Sequence, residues 1–139
     1  MSKICTSIEQ SKKLLELGLN PDTADMCYCP IMDIDSMSNT GFLKIPDCYP
    51  FSEVKDCKVQ YLPAWSLSAL LDFLKNDINN RSTYEMVYLP STFDGRGKHL
   101  YNTFRFSIDD TDFQKDVYTE DALDAVFEMV KLLFEEKKL

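Results

Sequence analysis

The chain has 139 residues, 45% of them hydrophobic and 27% charged, with a net charge of −8 from 15 basic and 23 acidic side chains. That length suits one domain with its own core, and that composition is not that of a disordered chain. The negative balance disfavours nonspecific binding to nucleic-acid phosphates, and no apolar run reaches the ~18 residues that a membrane-spanning helix needs.

Thr6-Ser7-Ile8-Glu9 has the spacing of a capping box, with Thr6 as N-cap and Glu9 at N3. The helix it opens runs to about Leu17. Gly18 then suits the left-handed position after the helix, with Leu19 folding back on Leu14. Asn20-Pro21-Asp22-Thr23 predicts a second cap with Pro21 at N1 and one turn through Asp25. Met26 to Asp35 alternates, with Cys27, Cys29 and Ile31 on one face and Met26 and Tyr28 on the other. Pro30 makes this an edge or bulged strand. Ser36 to Gly41 reads as a polar loop, Phe42 to Ile45 as a short strand, Asp47 to Phe51 as irregular chain, and Cys57 to Leu62 as a strand.

Ser66 is the expected N-cap of a central helix whose apolar face carries Leu67, Leu70, Leu71 and Leu74. Trp65 and Leu70 fall at the positions of a hydrophobic staple, and Pro63 keeps Leu62 extended. After a polar connection from Asn76 to Arg81, Tyr84 to Leu89 and Leu100 to Ile108 predict two strands of an antiparallel hairpin. In the second of these, Leu100, Phe104, Phe106 and Ile108 share one face, and Tyr101, Thr103, Arg105 and Ser107 the other. Pro90 to Lys98 joins the strands as a loop with Gly95 and Gly97 as turn residues.

Asp109 to Asp116 reads as an acidic loop. Thr119 is the expected cap of a closing helix, with Tyr118 and Leu123 at staple positions. Leu123, Val126, Phe127, Val130, Leu133 and Phe134 form its apolar stripe, widened by Ala122, Ala125, Met129 and Leu132. Such a helix lies mostly buried against a sheet. The expected fold is α+β, a mainly antiparallel sheet packed by about three helices, in a single domain over residues 1–139.

No motif for catalysis, cofactor or metal stands out. Cys27-Tyr28-Cys29 could give half of a zinc site, but Cys48 and Cys57 lack the spacing of a second pair. Cysteines on a strand face serve as small hydrophobes. His99 is the chain's one histidine, placed where a loop enters a strand, as a solvated side chain would be. Asp94-Gly95-Arg96-Gly97-Lys98 lacks the Walker spacing. Asp109, Asp110 and Asp112 lack the glycine and closing Glu of a calcium loop. Met1-Ser2-Lys3-Ile4-Cys5 has no apolar signal core, so the expected compartment is the cytoplasm, with the five cysteines as reduced thiols.

One loop has unusual content. Phe93-Asp94-Gly95-Arg96-Gly97-Lys98-His99 puts a large ring and two cations beside glycines in an acidic chain. Phe93, Arg96, Lys98 and His99, with Tyr101 on the outer face of the next strand, are the candidate contacts for a protein partner. In the plainer alternative, Phe93 folds back onto the sheet and the cations solvate the loop. The expected function is therefore a non-enzymatic interaction or accessory protein with no cofactor and no direct contact to nucleic acid or membrane. The alternatives are an enzyme with a site of scattered carboxylates or of a cysteine with His99, and, more remotely, an acidic mimic of nucleic acid.

The stretches 6–18, Thr23-Ala24-Asp25-Met26, Pro63-Ala64-Trp65-Ser66-Leu67-Ser68-Ala69-Leu70-Leu71 and Asp124-Ala125-Val126-Phe127-Glu128-Met129-Val130 resemble a group of small uncharacterised proteins of gut anaerobic bacteria and their phages or mobile elements. The likeness weakens between Ile31 and Tyr61 and in the loop before His99. The group has no assigned activity. The resemblance implies a bacterial or phage cytosolic setting and carries over no site residue.

Overall fold

The computed structural model of the chain describes residues 3–32, 35, 39–77, 83–110 and 113–137. The fold is α+β, with its strands in antiparallel sheets. Contacts divide the chain into two compact units, Ile4–Leu70 on one side and Met1–Lys3 with Leu71–Leu139 on the other.

In the first unit, helix α1 spans Ile8–Leu17 and a 3-10 turn spans Pro21–Thr23. The capping box is shifted by one residue from expectation: Ser7 is the N-cap, its hydroxyl accepting from the Gln10 amide while the Gln10 side chain accepts from the Ser7 amide. Thr6 cannot cap because its hydroxyl is used elsewhere, bonding Ser11 at 2.8 Å and accepting from the Trp65 amide at 3.1 Å. The other end follows expectation. Gly18 has φ +103°, Leu19 donates to the Leu14 carbonyl at 3.0 Å, and both leucines are buried. Asn20 caps the 3-10 turn, which closes at Thr23 rather than Asp25.

Strand β1 (Met26–Tyr28) pairs antiparallel with Leu62–Ala64, and β2 (Pro30–Met32) pairs with β3 (Asn39–Phe42) across a bulge at Ile31/Met32. The short strand expected at Phe42 to Ile45 is therefore Asn39–Phe42, because Thr40 and Gly41 engage Ile31; Ile45 is left 81% exposed. Asp33, Ile34 and Ser36 to Ser38, the rest of the expected strand and loop, lie outside the described residues. Helix α2 is one turn, Phe51–Val54.

The strand expected at Cys57 to Leu62 is instead β4 (Leu62–Ala64), with Pro63 opposite Cys27. A proline is tolerated there for a geometric reason. Cys27 exchanges both of its backbone hydrogen bonds with Asp47 on the far side, at 3.1 and 2.7 Å. A strand residue points its amide and carbonyl to the same side, so Cys27 asks nothing of Pro63. Cys5, Met26, Tyr28, Leu62 and Ala64 form one core cluster of this unit, with Ile8, Leu15 and Phe42 packed against it.

Helix α3 (Leu67–Asp77) begins at the unit boundary. Ser66 caps it as expected, its hydroxyl accepting from the Ala69 amide at 3.2 Å. The Asp25 carboxylate takes both the Ser66 amide, at 2.9 Å, and the Ser66 hydroxyl. Trp65 and Leu70 are both 0% exposed. The connection from residue 78 to 82 lies outside the described residues.

The second unit holds a three-stranded antiparallel sheet in the order β5 (Thr83–Phe93), β6 (His99–Asp110), β7 (Phe113–Thr119). The expected hairpin is there, but β5 runs on to Phe93 and the loop shrinks to Asp94–Lys98. Of the acidic segment expected as loop, Asp109, Asp110 and Phe113 to Asp116 are strand, with Asp109 opposite Gln114 and Asp110 opposite Phe113, while residues 111 and 112 lie outside the described residues. Phe106, Ile108 and Val117 are buried on one sheet face, and helix α4 (Ala122–Lys137) contacts β6 and β7. Its stripe is buried at Leu123, Val126, Phe127, Val130 and Leu133, while Phe134 is half-buried and stacks on Phe73 at 5.7 Å. The cap of α4 is Asp121, not Thr119. Asp121 Oδ1 accepts from Leu123 at 2.9 Å and Asp124 at 3.3 Å, and the Thr119 hydroxyl is spent on the Asp121 carbonyl. Lys3 joins the same helix start, its amide donating to Asp121 and its ammonium to Asp124.

Candidate functional site

The β5–β6 turn is built by Asp94. Its amide donates to the Lys98 carbonyl at 2.9 Å, and its carbonyl accepts from Gly97 at 3.1 Å. Its carboxylate accepts from the amides of Arg96 at 2.8 Å and Lys98 at 2.9 Å. Those two amides, Lys98 first, hold the Asp94 carboxyl below the usual aspartate range, helped by the Arg96 and Lys98 charges. Gly97 has φ +84°, a conformation that glycine adopts without strain. This ring of bonds fixes the turn and leaves Arg96 and Lys98 exposed at its tip.

Phe93 and His99 are the first cross-strand pair below the turn, with Ser91 opposite Tyr101 next but one. Directly opposed residues share a sheet face, so these four side chains lie together. The Phe93 and His99 rings stack at 4.6 Å with 17° between planes, and the Tyr101 ring tilts onto His99 at 4.2 Å. His99 Nε2 is hydrogen-bonded to the Ser91 hydroxyl. Phe93 and Tyr101 are each 63% exposed, so Phe93 does not fold back into the core.

The same face continues through Thr103 to Arg105, which sits opposite Val87 on β5 and Tyr118 on β7. Arg105 reaches Glu85 at 3.4 Å, and its Nε has no hydrogen-bond partner among the described residues. The ladder skips the Pro90/Asn102 position. Pro90 has no amide to offer on this edge strand, and Asn102 takes φ +49°, held by Tyr88 donating to its side-chain oxygen at 2.8 Å. Strand β7 ends at Thr119 opposite Phe104, so residues 99–103 of β6 pair with β5 only. An open cleft of about 370 Å³ lies there, lined by Lys98, His99, Tyr101, Tyr118 and Glu120 among others.

All five candidate residues thus fall at one end of the hairpin: Phe93, His99 and Tyr101 as a ring stack, Arg96 and Lys98 on the turn above it. Reasoning from the sequence missed Ser91, Arg105, Tyr118 and Glu120. Their common signal is register, which the Asp94 turn sets and a loop drawn from Pro90 to Lys98 conceals.

The chemistry available here is limited. A serine hydroxyl on a histidine nitrogen can begin a nucleophile–base pair, but the base needs a third group to orient it and the substrate an oxyanion donor. The described contacts of His99 are with Ser91 and the two rings. Two of the thiols are tuned away from reactivity. Cys27 is fully buried and its pKa is pushed up to about 11 by burial and by the Asp47 charge. Burial likewise raises Cys5, whose sulfur lies 3.6 Å from the Tyr28 hydroxyl. Cys29 is half-buried, while Cys48 and Cys57 are exposed. All five cysteines are free thiols. Among the described residues no group of three His, Cys, Asp or Glu side chains could hold a metal ion, and no helix is long and apolar enough to cross a membrane. The chain matches no family model, and comparison with curated proteins and with solved structures finds no match.

Proposed function

We propose that the chain is a non-enzymatic interaction protein that binds a protein partner through the end of the β5–β6 hairpin. The observation that carries this reading is the ring stack of Phe93, His99 and Tyr101, held in place yet exposed. Single exposed apolar residues are ordinary, but a fixed row of rings gains little for the folded chain and much for an interface. The Asp94 bonds and the Ser91–His99 bond order the surface before any partner arrives, which lowers the entropy lost on binding. Arg96, Lys98 and Arg105 lie on or beside it, so the fitting partner presents acidic side chains next to an apolar one. The overall charge of −8 disfavours a phosphate-rich nucleic acid as the partner. The free thiols fit a reducing cytoplasm, and the resemblance noted above fits a bacterial or phage accessory factor.

The reading is tested by placing a photo-crosslinking residue at Tyr101 or, as a control, at the still more exposed Ile45. Irradiation in a lysate of the source organism should give one discrete adduct from position 101 and none from 45. Identical adduct patterns from both positions would defeat it.

A further inference from the structure

We propose that a cleft in the unit Ile4–Leu70 binds a small amphipathic carboxylate, an aromatic body carrying a short acid chain. The cleft, of about 320 Å³, lies at the lower end of the range of small-molecule sites, roughly 300–1,000 Å³. Its walls come from different elements: Leu15 of α1, Phe42 of β3, Phe51 of α2, and Leu62 with Pro63 of β4. Leu15, Phe42 and Phe51 are half-buried, so their apolar faces stay within reach of a ligand. These side chains suit a flat apolar body and offer it no polar group.

The charge around the cleft fixes the other half of the ligand. Lys55 lines it, and no carboxylate is among its lining residues. The Lys12 ammonium stands 5.8 Å from the centre of the Phe42 ring, at the same wall. One ammonium group in the lining and a second over a lining ring run against the grain of a chain with eight more acids than bases. The nearby Asp22 carboxylate is 3.5 Å from Lys55, and both side chains are about half exposed, 43% and 48%. Such a pair is weak and exchangeable, so an incoming carboxylate can take Lys55 while its ring packs on Phe42 and Phe51. Gln60 and Tyr61, also in the lining, add polar contacts at the rim. The site is separate from the hairpin and does not rest on the function proposed for it.

Naphthylpropionate and its primary amide, titrated into the full chain by ligand-observed NMR and calorimetry, test this. The acid should bind saturably and at least ~10-fold more tightly than the amide, the size of effect expected from one charge-assisted contact. Lys12→Gln with Lys55→Gln should abolish that preference, and Phe51→Ser should weaken both probes. If Phe51→Ser fails to fold, the lysine pair, which lies on the surface, still decides the matter. No saturable binding, equal binding of acid and amide, or a preference unchanged by the lysine substitutions would overturn the proposal.

Discussion

Thr6 and Trp65 hold each other through two hydrogen bonds across 59 residues of chain: the Thr6 amide donates to the Trp65 carbonyl at 2.8 Å, and the Trp65 amide donates to the Thr6 hydroxyl at 3.1 Å. The Thr6 carbonyl accepts from the Tyr28 hydroxyl at 2.8 Å, so every polar group of this fully buried threonine is satisfied. The indole of Trp65 donates to the Thr23 hydroxyl at 2.9 Å. One buried junction thus joins the start of α1, the 3-10 turn, β1 and β4.

Breaking that junction is expected to cost more than an ordinary surface change. Thr6→Val keeps the shape and removes the hydroxyl, leaving the Trp65 amide and the Ser11 hydroxyl short of a partner. The expected loss is about 1–3 kcal/mol in urea unfolding followed by Trp65 fluorescence. Trp65→Ala, followed by circular dichroism, should cost about 3–5 kcal/mol, as large buried aromatics do. A loss well under 1 kcal/mol in the tryptophan variant would show that Trp65 does not anchor the unit.

The thiols should separate by burial and ionisation. Native alkylation is expected to modify Cys48 and Cys57 first, Cys29 more slowly, and Cys5 and Cys27 only in denaturant. Peptide mapping reads the order directly, and early modification of Cys27 would contradict it.

The same residue sets an alkaline limit. Cys27 has its pKa raised from 9.0 to about 11, so the unfolded chain loses this proton first as pH rises. The stability tied to the neutral thiol is intact below about 9 and is lost as pH climbs toward about 11. Tyr28, raised still further by burial and by its bond to Cys5, adds to the loss in the same direction. Cys27→Ala should flatten the first part of this decline in the urea midpoint measured against pH; an unchanged slope would assign it to other groups.

For Asp94 the sign is reversed. Its pKa is lowered in the folded turn, so its contribution is present above the unfolded value and lost as pH falls through the folded one. The Arg96 and Lys98 amides should stay protected from hydrogen exchange at neutral pH. They should open only with a midpoint below the ~3.9 of an ordinary aspartate. A midpoint at or above that value would mean that the carboxylate does not hold the turn.

Much of this architecture is legible in the sequence where a local pattern decides it. Gly18 with Leu19, Ser66 with Trp65, and the long stripe of α4 all behave as their spacing predicts. The departures occur where a distant partner claims a group that local rules assign elsewhere. Thr6 is drawn away from its capping role by Trp65, and Thr119 by the Asp121 carbonyl. β4 takes in Pro63 because Asp47 occupies the other edge of Cys27. β7 hides behind its acids, although Val117, Tyr118 and Thr119 are good strand formers. The candidate surface was half legible: the loop's content pointed to Phe93, Arg96, Lys98, His99 and Tyr101, but the ring stack exists only in the register that Asp94 sets.

The most direct test of the hairpin's role is the double substitution Phe93→Ser with Arg96→Ser, assayed by affinity capture from a lysate of the source organism beside the unaltered chain. Both side chains are exposed, so stability should hold within about 0.5 kcal/mol. With the fold intact, the account predicts that a stoichiometric partner recovered by the unaltered chain is lost from the variant. Equal recovery by a fully folded variant would contradict it.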